Sequence, residues 1–119
     1  MEEILIIDDS PEITDIIYTI INEKFKNKFA ITTFNDPEVA FEYYLEYGPL
    51  NRIILDLDMP KITGKELIQL IREFHEEQKI SIITGSDNIE IENDLIKKFP
   101  EYNILRKPFC IKEIEEEIM

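Results

Sequence analysis

Short apolar runs alternate with longer segments of helical periodicity along this chain. Unbroken apolar runs bounded by turn residues are typical of strands that are buried on both faces of a sheet. The runs that predict strands are Ile4–Ile7, Phe29–Phe34, Arg52–Leu55, Ile80–Ile83 and Asn103–Leu105. The first, third and fourth runs therefore indicate central strands, whereas the two threonines of the second run indicate an edge strand.

The segments between these runs carry the 3.6-residue period of helices with one buried face. Ser10 and Pro11 supply an N-cap and a first-turn proline for the first helix. Asp36 and Pro37 repeat that start signal for the second helix, and Gly48 ends it. The helices predicted after the first are Val39–Tyr47, Gly64–Phe74, Ile89–Phe99 and a fifth with Ile111, Ile114 and Ile118 on its apolar face.

Strands that alternate with helices predict an α/β fold, with a mainly parallel sheet covered by helices on both faces. The 119 residues suffice for one core, so residues 1–119 are predicted to form a single domain. The fifth helix finishes in EEEIM, which lacks a cap and puts glutamates at the negative end of the helix dipole. We therefore expect the native helix to continue beyond Met119.

Charge and composition narrow the class of partner. The chain has 13 basic and 26 acidic residues, so its net charge is −13 and no basic face can be assembled for nucleic acid or an anionic membrane. No segment approaches the ~20 apolar residues of a membrane span, and the acidic amino terminus is not a signal peptide. The single cysteine, Cys110, excludes an internal disulfide and predicts a cytoplasmic protein. We interpret Cys110 as a small packing residue.

Polar side chains stand where four of the predicted strands end. Asp8 and Asp9 follow the first strand, Asp56 the third, Thr84 the fourth and Lys107 the fifth. Because the carboxyl ends of parallel strands meet at one edge of the sheet, where such folds bind ligands, we expect these side chains to face one crevice. Each aspartate could alone be a helix cap, and Asp9 could cap the first helix in place of Ser10.

Three converging carboxylates predict a bound cation. Carboxylates within ~4–6 Å raise one another's pKa, and a hard divalent ion with oxygen ligands, Mg²⁺ for preference, relieves the repulsion. A carboxylate surrounded by Mg²⁺, an ammonium and a hydroxyl is a site for phosphoryl transfer, with Asp56 as the nucleophile. The chain has no glycine-rich phosphate loop, so a donor molecule must bring the phosphoryl group.

Four motifs in this order resemble those of the receiver domain of two-component response regulators. They are DD at Asp8–Asp9, DLDMPKITG from Asp56 to Gly64, TG at Thr84–Gly85 and KPF at Lys107–Phe109. The resemblance covers essentially the whole chain. It implies a doubly wound, flavodoxin-like sheet of five parallel strands in the order 2-1-3-4-5, with five helices.

The resemblance also implies a role for individual residues. Asp56 would be the phosphoacceptor, served by a histidine kinase or phosphotransfer protein. Mg²⁺ would be held by Asp8, Asp9, Asp56 and the backbone carbonyl of Asp58, while Thr84 and Lys107 would contact the phosphoryl oxygens. The Lys107–Pro108 peptide would be cis, and Asp58 and Ser86 would tune the lifetime of the phosphorylated form.

At the level of the whole protein, the family catalyses only its own phosphorylation and dephosphorylation. The resemblance implies that phosphorylation switches the surface near the fourth helix, fifth strand and fifth helix, toward a C-terminal output domain or a partner protein. Many receivers carry an aromatic residue three positions before the lysine, where this chain has Ile104. We therefore predict that the signal passes by movement of helices and loops rather than by an aromatic switch.

Two other interpretations remain open on sequence grounds. The run IILDLDMP resembles the nucleophile motif of haloacid-dehalogenase-type phosphatases, in which Asp58 would be the general acid. Against it, that motif normally has Thr or Val where this chain has Pro60, and it normally lies on the first strand. The third interpretation is a pseudo-receiver, which has the fold and binds protein without being phosphorylated.

Overall fold

The computed structural model describes residues 1–85 and 89–119 as alternating strands and helices. The strands are β1 (Glu2–Ile7), β2 (Phe29–Phe34), β3 (Arg52–Asp56), β4 (Ile80–Thr84) and β5 (Asn103–Arg106). The helices are α1 (Pro11–Lys24), α2 (Pro37–Tyr47), α3 (Gly64–Phe74), α4 (Ile89–Lys98) and α5 (Ile111–Ile118). Every predicted element is present, with ends that differ by one or two residues.

All strand pairs are parallel, and the order across the sheet is β2-β1-β3-β4-β5. This confirms the doubly wound fold and the position of β2 at an edge. Strands β1, β3 and β4 occupy the centre, as their uninterrupted apolar runs predicted.

The apolar core lies in two layers, one on each face of the sheet. Leu5 and Ile7 of β1 point into the layer that α2, α3 and α4 cover, whereas Ile4 and Ile6 point into the layer beneath α1 and α5. This alternation follows from the two-residue period of a strand. It explains why β1 has no polar residue between Ile4 and Ile7.

Side-chain caps fix where several helices begin. The Ser10 hydroxyl accepts from the Ile13 N–H at 3.4 Å, so Ser10 rather than Asp9 caps α1. The Asp36 carboxylate accepts from the Glu38 N–H at 2.9 Å at the start of α2. These caps hold the loops that follow β1 and β2, and both loops border the site described below.

One prediction about an individual residue is wrong. Cys110 is exposed at the N-cap of α5 and does not pack in the core. Within residues 1–85 and 89–119, no helix is both long and apolar enough to cross a membrane.

Candidate functional site

The carboxyl ends of the central strands bring the polar residues of the sequence motifs to one edge of the sheet. Asp56 and Thr84 are the last residues of β3 and β4, and Asp8 directly follows β1. Asp56 pairs in register with Ile83, and the ladder extends past the strand end because the Lys107 N–H donates to the Thr84 carbonyl at 2.8 Å. The strand ends are therefore level, and their side chains share one crevice.

Asp8, Asp9 and Asp56 form a compact cluster. Each offers a carboxylate oxygen, and these three oxygens all lie within 4.8 Å of one another. Asp8 is 0% exposed and Asp56 1%, whereas Asp9 is exposed. Two of the three like charges are therefore buried and the third is solvated. The sequence had not predicted this difference in burial.

Lys107 is the positive charge that the described residues place against the buried pair. Its ammonium nitrogen lies 3.1 Å from Asp8 Oδ2 and 3.5 Å from Asp56 Oδ1. Backbone groups add two donors, since the Ser10 N–H donates to Asp8 Oδ1 at 2.9 Å and the Asp58 N–H to Asp56 Oδ1 at 3.3 Å. One ammonium cannot balance both carboxylates.

The pKa values of these groups record that imbalance. Burial, reinforced by the charge of Asp8, raises the pKa of Asp56 to about 7 against the opposing effect of Lys107. Burial also raises the pKa of Asp8, although the Ser10 N–H and Lys107 act in the other direction. Burial lowers the pKa of Lys107, but the charges of Asp56 and Asp8 outweigh it, and the net shift is upward. An additional cation in the crevice would restore the ionised form of both acids.

The donor set fits a hard divalent cation. All three clustered side chains offer carboxylate oxygens, the ligands that Mg²⁺ prefers. The buried Asp8 Oδ2 has the Lys107 ammonium as its only neighbouring charge of opposite sign among the described residues, at 3.1 Å, and Lys107 also serves Asp56. A metal ion bound by Asp8 and Asp56 would supply the positive charge that one ammonium cannot give to both.

Other residues that the sequence singled out lie at the end of β4 and in or directly after β5. The Thr84 hydroxyl donates to the Gly85 carbonyl at 3.1 Å. Ile104 is half-buried and packs against the core layer beneath α2, α3 and α4. The Lys107–Pro108 peptide is cis, and so is Gly48–Pro49, which no sequence motif had pointed to. Ser86 lies outside the described residues.

Gly64 has a steric role that sequence reasoning did not supply. A Cβ atom at this position would lie 2.5 Å from the Asp56 carbonyl oxygen and 2.6 Å from the Leu57 Cα. Its N–H donates to the Leu57 carbonyl at 3.0 Å, so the start of α3 closes directly onto the chain that leaves β3. The spacing from Asp56 to Gly64 was visible in the motif, but the backbone contact that requires glycine was not.

Asn35 is the second residue that sequence reasoning missed. It stands between β2 and the cap of α2, and its side chain reaches the loop after β1. No local pattern signals such a contact, because it joins residues 27 positions apart in the chain.

Comparisons with known proteins agree on one protein family. A family model described as the response regulator receiver domain matches residues 4–119. The nitrogen assimilation regulatory protein NtrX of Azorhizobium caulinodans is 31% identical over 109 residues, which is 90% of this chain but 23% of NtrX. The response regulator receiver protein CpdR of Brucella abortus is 27% identical over 119 residues, covering 99% of this chain and 94% of CpdR.

Solved structures agree on the fold. The chemotaxis protein CheY4 of Vibrio cholerae superposes with a TM-score of 0.84 at 20% identity, covering 99% of this chain and 96% of that one. The chain spans 23% of the length of NtrX.

Proposed function

Because this chain belongs to the response regulator receiver domain family, we propose that Asp56 accepts a phosphoryl group from a phosphohistidine donor. Receiver domains work with histidine kinases or phosphotransfer proteins, which carry such a donor. The observation that carries the proposal is the position of Asp56, buried at the end of β3 beside the Asp8 carboxylate and the Lys107 ammonium.

The proposed step is a displacement at phosphorus. An ionised oxygen of Asp56 attacks the phosphorus of the phosphohistidine, a new P–O bond forms and the P–N bond breaks. The departing imidazole nitrogen keeps the electron pair of the P–N bond and takes up a proton. Only the ionised carboxylate can attack, so a pKa of about 7 makes the neighbouring cations part of the activation of Asp56.

We assign the metal site to the carboxylates of Asp8, Asp9 and Asp56 and to the backbone carbonyl of Asp58. The oxygen-only donor set and the burial of two carboxylates, Asp8 and Asp56, against one ammonium support this assignment. When bound, Mg²⁺ would supply positive charge that offsets the phosphoryl oxygens. Asp8 and Asp9 come from the loop after β1, whereas Asp56 ends β3 and Asp58 lies in the loop after it, so the site depends on both segments keeping their positions.

Lys107 and Thr84 are proposed to hold the transferred group. Lys107 already lies 3.5 Å from Asp56 Oδ1 and can pair with a phosphoryl oxygen. The Thr84 hydroxyl would leave the Gly85 carbonyl to donate to another. With an isoleucine at position 104, the signal would pass to α4, β5 and α5 by movement of helices and loops rather than by an aromatic switch. A C-terminal output domain or a partner protein would read that surface.

We further propose that the chain catalyses only its own phosphorylation and dephosphorylation. Asp58 is exposed at the mouth of the crevice, where its side chain can affect attacking water. Asp58 and Ser86 would therefore set the lifetime of the phosphorylated form. The phosphatase interpretation is disfavoured by the family of the chain and by the motif's place on β3.

The test is labelling with acetyl phosphate in Mg²⁺, which removes any dependence on kinase docking. The wild type should acquire one phosphoryl group that is labile to hydroxylamine, as an acyl phosphate is. Asp56→Asn should acquire none. Asp15→Asn is the matched control, because Asp15 is an exposed aspartate of α1 and the same charge is removed.

Full labelling of Asp56→Asn would overturn the assignment of Asp56. Absence of labelling in the wild type, with acetyl phosphate and also with a panel of histidine kinases, would favour the pseudo-receiver interpretation.

A further inference from the structure

We propose that Asn35 is a positioning residue for the metal-binding acids, and this inference rests on the function proposed above. Asn35 lies outside every motif that pointed to the site. Its side-chain amide nitrogen donates to the Asp8 carbonyl at 2.8 Å and to the Thr14 hydroxyl at 3.1 Å. It thereby ties β2 to the loop that carries Asp8 and Asp9.

The orientation of the Asn35 amide follows from its partners. The Asp8 carbonyl can only accept, so the amide nitrogen and not the oxygen must face it. The Thr14 hydroxyl donates to the Pro11 carbonyl at 3.1 Å, which leaves the Thr14 oxygen to accept from Asn35. The two N–H groups of one amide thus join the last turn before α1 to the first turn within it.

Asn35 is itself held from both sides. Phe34, the residue before it, ends β2 in register with Ile7 of β1. Asp36, the residue after it, caps α2 through the Glu38 N–H at 2.9 Å. The backbone is therefore fixed on both sides of Asn35, and its side chain has only two rotatable bonds. Asn35 can for this reason hold the Asp8 backbone in position.

The contact acts where the position of the acids is set. The Asp8 N–H already donates to the Phe34 carbonyl at 3.2 Å, so Asn35 adds a second connection between β2 and the same residue. The Asp8 carboxylate is in turn held by the Ser10 N–H. Fixing the backbone of Asp8 on one side and its carboxylate on the other holds two like-charged acids, Asp8 and Asp9, in the cluster against their repulsion.

Residues that orient metal ligands without touching the metal typically change metal affinity by 10–100-fold when they are removed. We expect Asn35→Ala to weaken Mg²⁺ binding by about tenfold, at the lower end of that range because Asp56 is untouched. The measurement is the Kd for Mg²⁺ by isothermal titration calorimetry on the unphosphorylated full chain.

The chain offers a matched control at the amino-terminal end of β1, the end opposite to Asp8. Asn51 is exposed, as Asn35 is, and its side chain accepts from the backbone N–H of Glu3 at 2.7 Å. Asn51→Ala removes a comparable contact far from the acids and should leave the Kd unchanged. Denaturant unfolding of both variants in EDTA shows whether they loosen the fold to the same extent.

Each outcome decides a different point. A Kd that is weakened in Asn35→Ala alone supports the inference. An unchanged Kd in Asn35→Ala, or an equal loss in Asn51→Ala, overturns it while the proposed function stands. If the wild type binds no Mg²⁺, the proposed metal site fails, and the inference fails with it.

Discussion

Asp56 is 1% exposed and lies beside Asp8, and both conditions disfavour its ionised form. The fold therefore holds a nucleophile in an environment that works against its charge whenever no cation is bound. Lys107 offsets only part of this cost, because it serves Asp8 at 3.1 Å as well as Asp56 at 3.5 Å. The reactivity of the site and its instability without metal have the same origin.

The metal-free protein should lose stability as the pH rises from about 4 to about 7. The pKa of Asp56 is raised from 3.8 to about 7 in the folded state, so the folded protein binds a proton more tightly than the unfolded chain does. Stability from this group is complete below the unfolded pKa and is lost as the pH rises through the folded pKa. Urea unfolding in EDTA across this range measures the slope.

Asp56→Asn should flatten that slope and raise the free energy of unfolding at pH 7 by about 1–2 kcal/mol, on the order of one pKa unit. Asp9→Asn should have a smaller effect, because Asp9 is exposed. A metal-free Asp56→Asn protein that is less stable than wild type at pH 7 would contradict the account of a strained carboxylate.

At the scale of elements, local signals predicted most of the fold and non-local contacts account for what they missed. Periodicity and the caps Ser10 and Asp36 located the helices. The amide of Asn35 could not be foreseen, because only the folded sheet brings it to Asp8. Glu117 of α5 makes contacts of the same non-local kind. Its carboxylate accepts from Ser81 at 2.5 Å, from Asn103 at 3.0 Å and from Arg52 at 3.3 Å.

In the candidate site, too, local signals were predictive and non-local contacts were not. The strand order and the polar strand ends made the gathering of the aspartates predictable from sequence. Their unequal burial was not predictable, because the exposure of Asp9 depends on how the loop after β1 turns into α1.

Gly64→Ala tests whether α3 must approach β3 as closely as it does. The added Cβ would meet backbone atoms at 2.5 and 2.6 Å, which cannot move without shifting the Asp56 segment. We expect a loss of about 1–3 kcal/mol, as for overpacking elsewhere, together with weaker Mg²⁺ binding. Chemical unfolding and calorimetry measure the two effects.

Gly85→Ala is the matched control, since among the described residues its Cβ would come near Asp58 Oδ2 alone, at an ordinary 3.7 Å. An equal loss of stability in both variants would show that the cost does not come from the contact at Gly64, because replacing glycine by alanine otherwise stabilises by lowering the entropy of the unfolded chain.

At the scale of the whole molecule, a net charge of −13 makes two effects of cations easy to confuse. Any salt screens the repulsion among surface acids and stabilises the compact state. A cation bound in the crevice acts differently, because it binds the folded state at one site and its effect follows its concentration relative to Kd.

Mg²⁺ at a hundredfold excess over Kd should raise the free energy of unfolding of the wild type by about 2.7 kcal/mol. Asp56→Asn should gain less, since one ligand has lost its charge. Urea unfolding in Mg²⁺ is compared with unfolding in NaCl of the same ionic strength. Equal stabilisation by the two salts would mean that Mg²⁺ acts by screening alone.

The side chains of the crevice come from positions 8, 9, 56, 84 and 107, nearly the full span of the chain. None of the strands that carry them is complete without its neighbours, and Lys107 directly follows β5, which is synthesised after the other four strands of this domain. During synthesis, a nascent chain that displays Asp56 therefore has no lysine with which to pair a phosphoryl group. Under the function proposed above, the crevice is complete only once β5 is in place, so a phosphoryl donor that requires it would act on a folded receiver domain and not on a nascent chain that stops before β5.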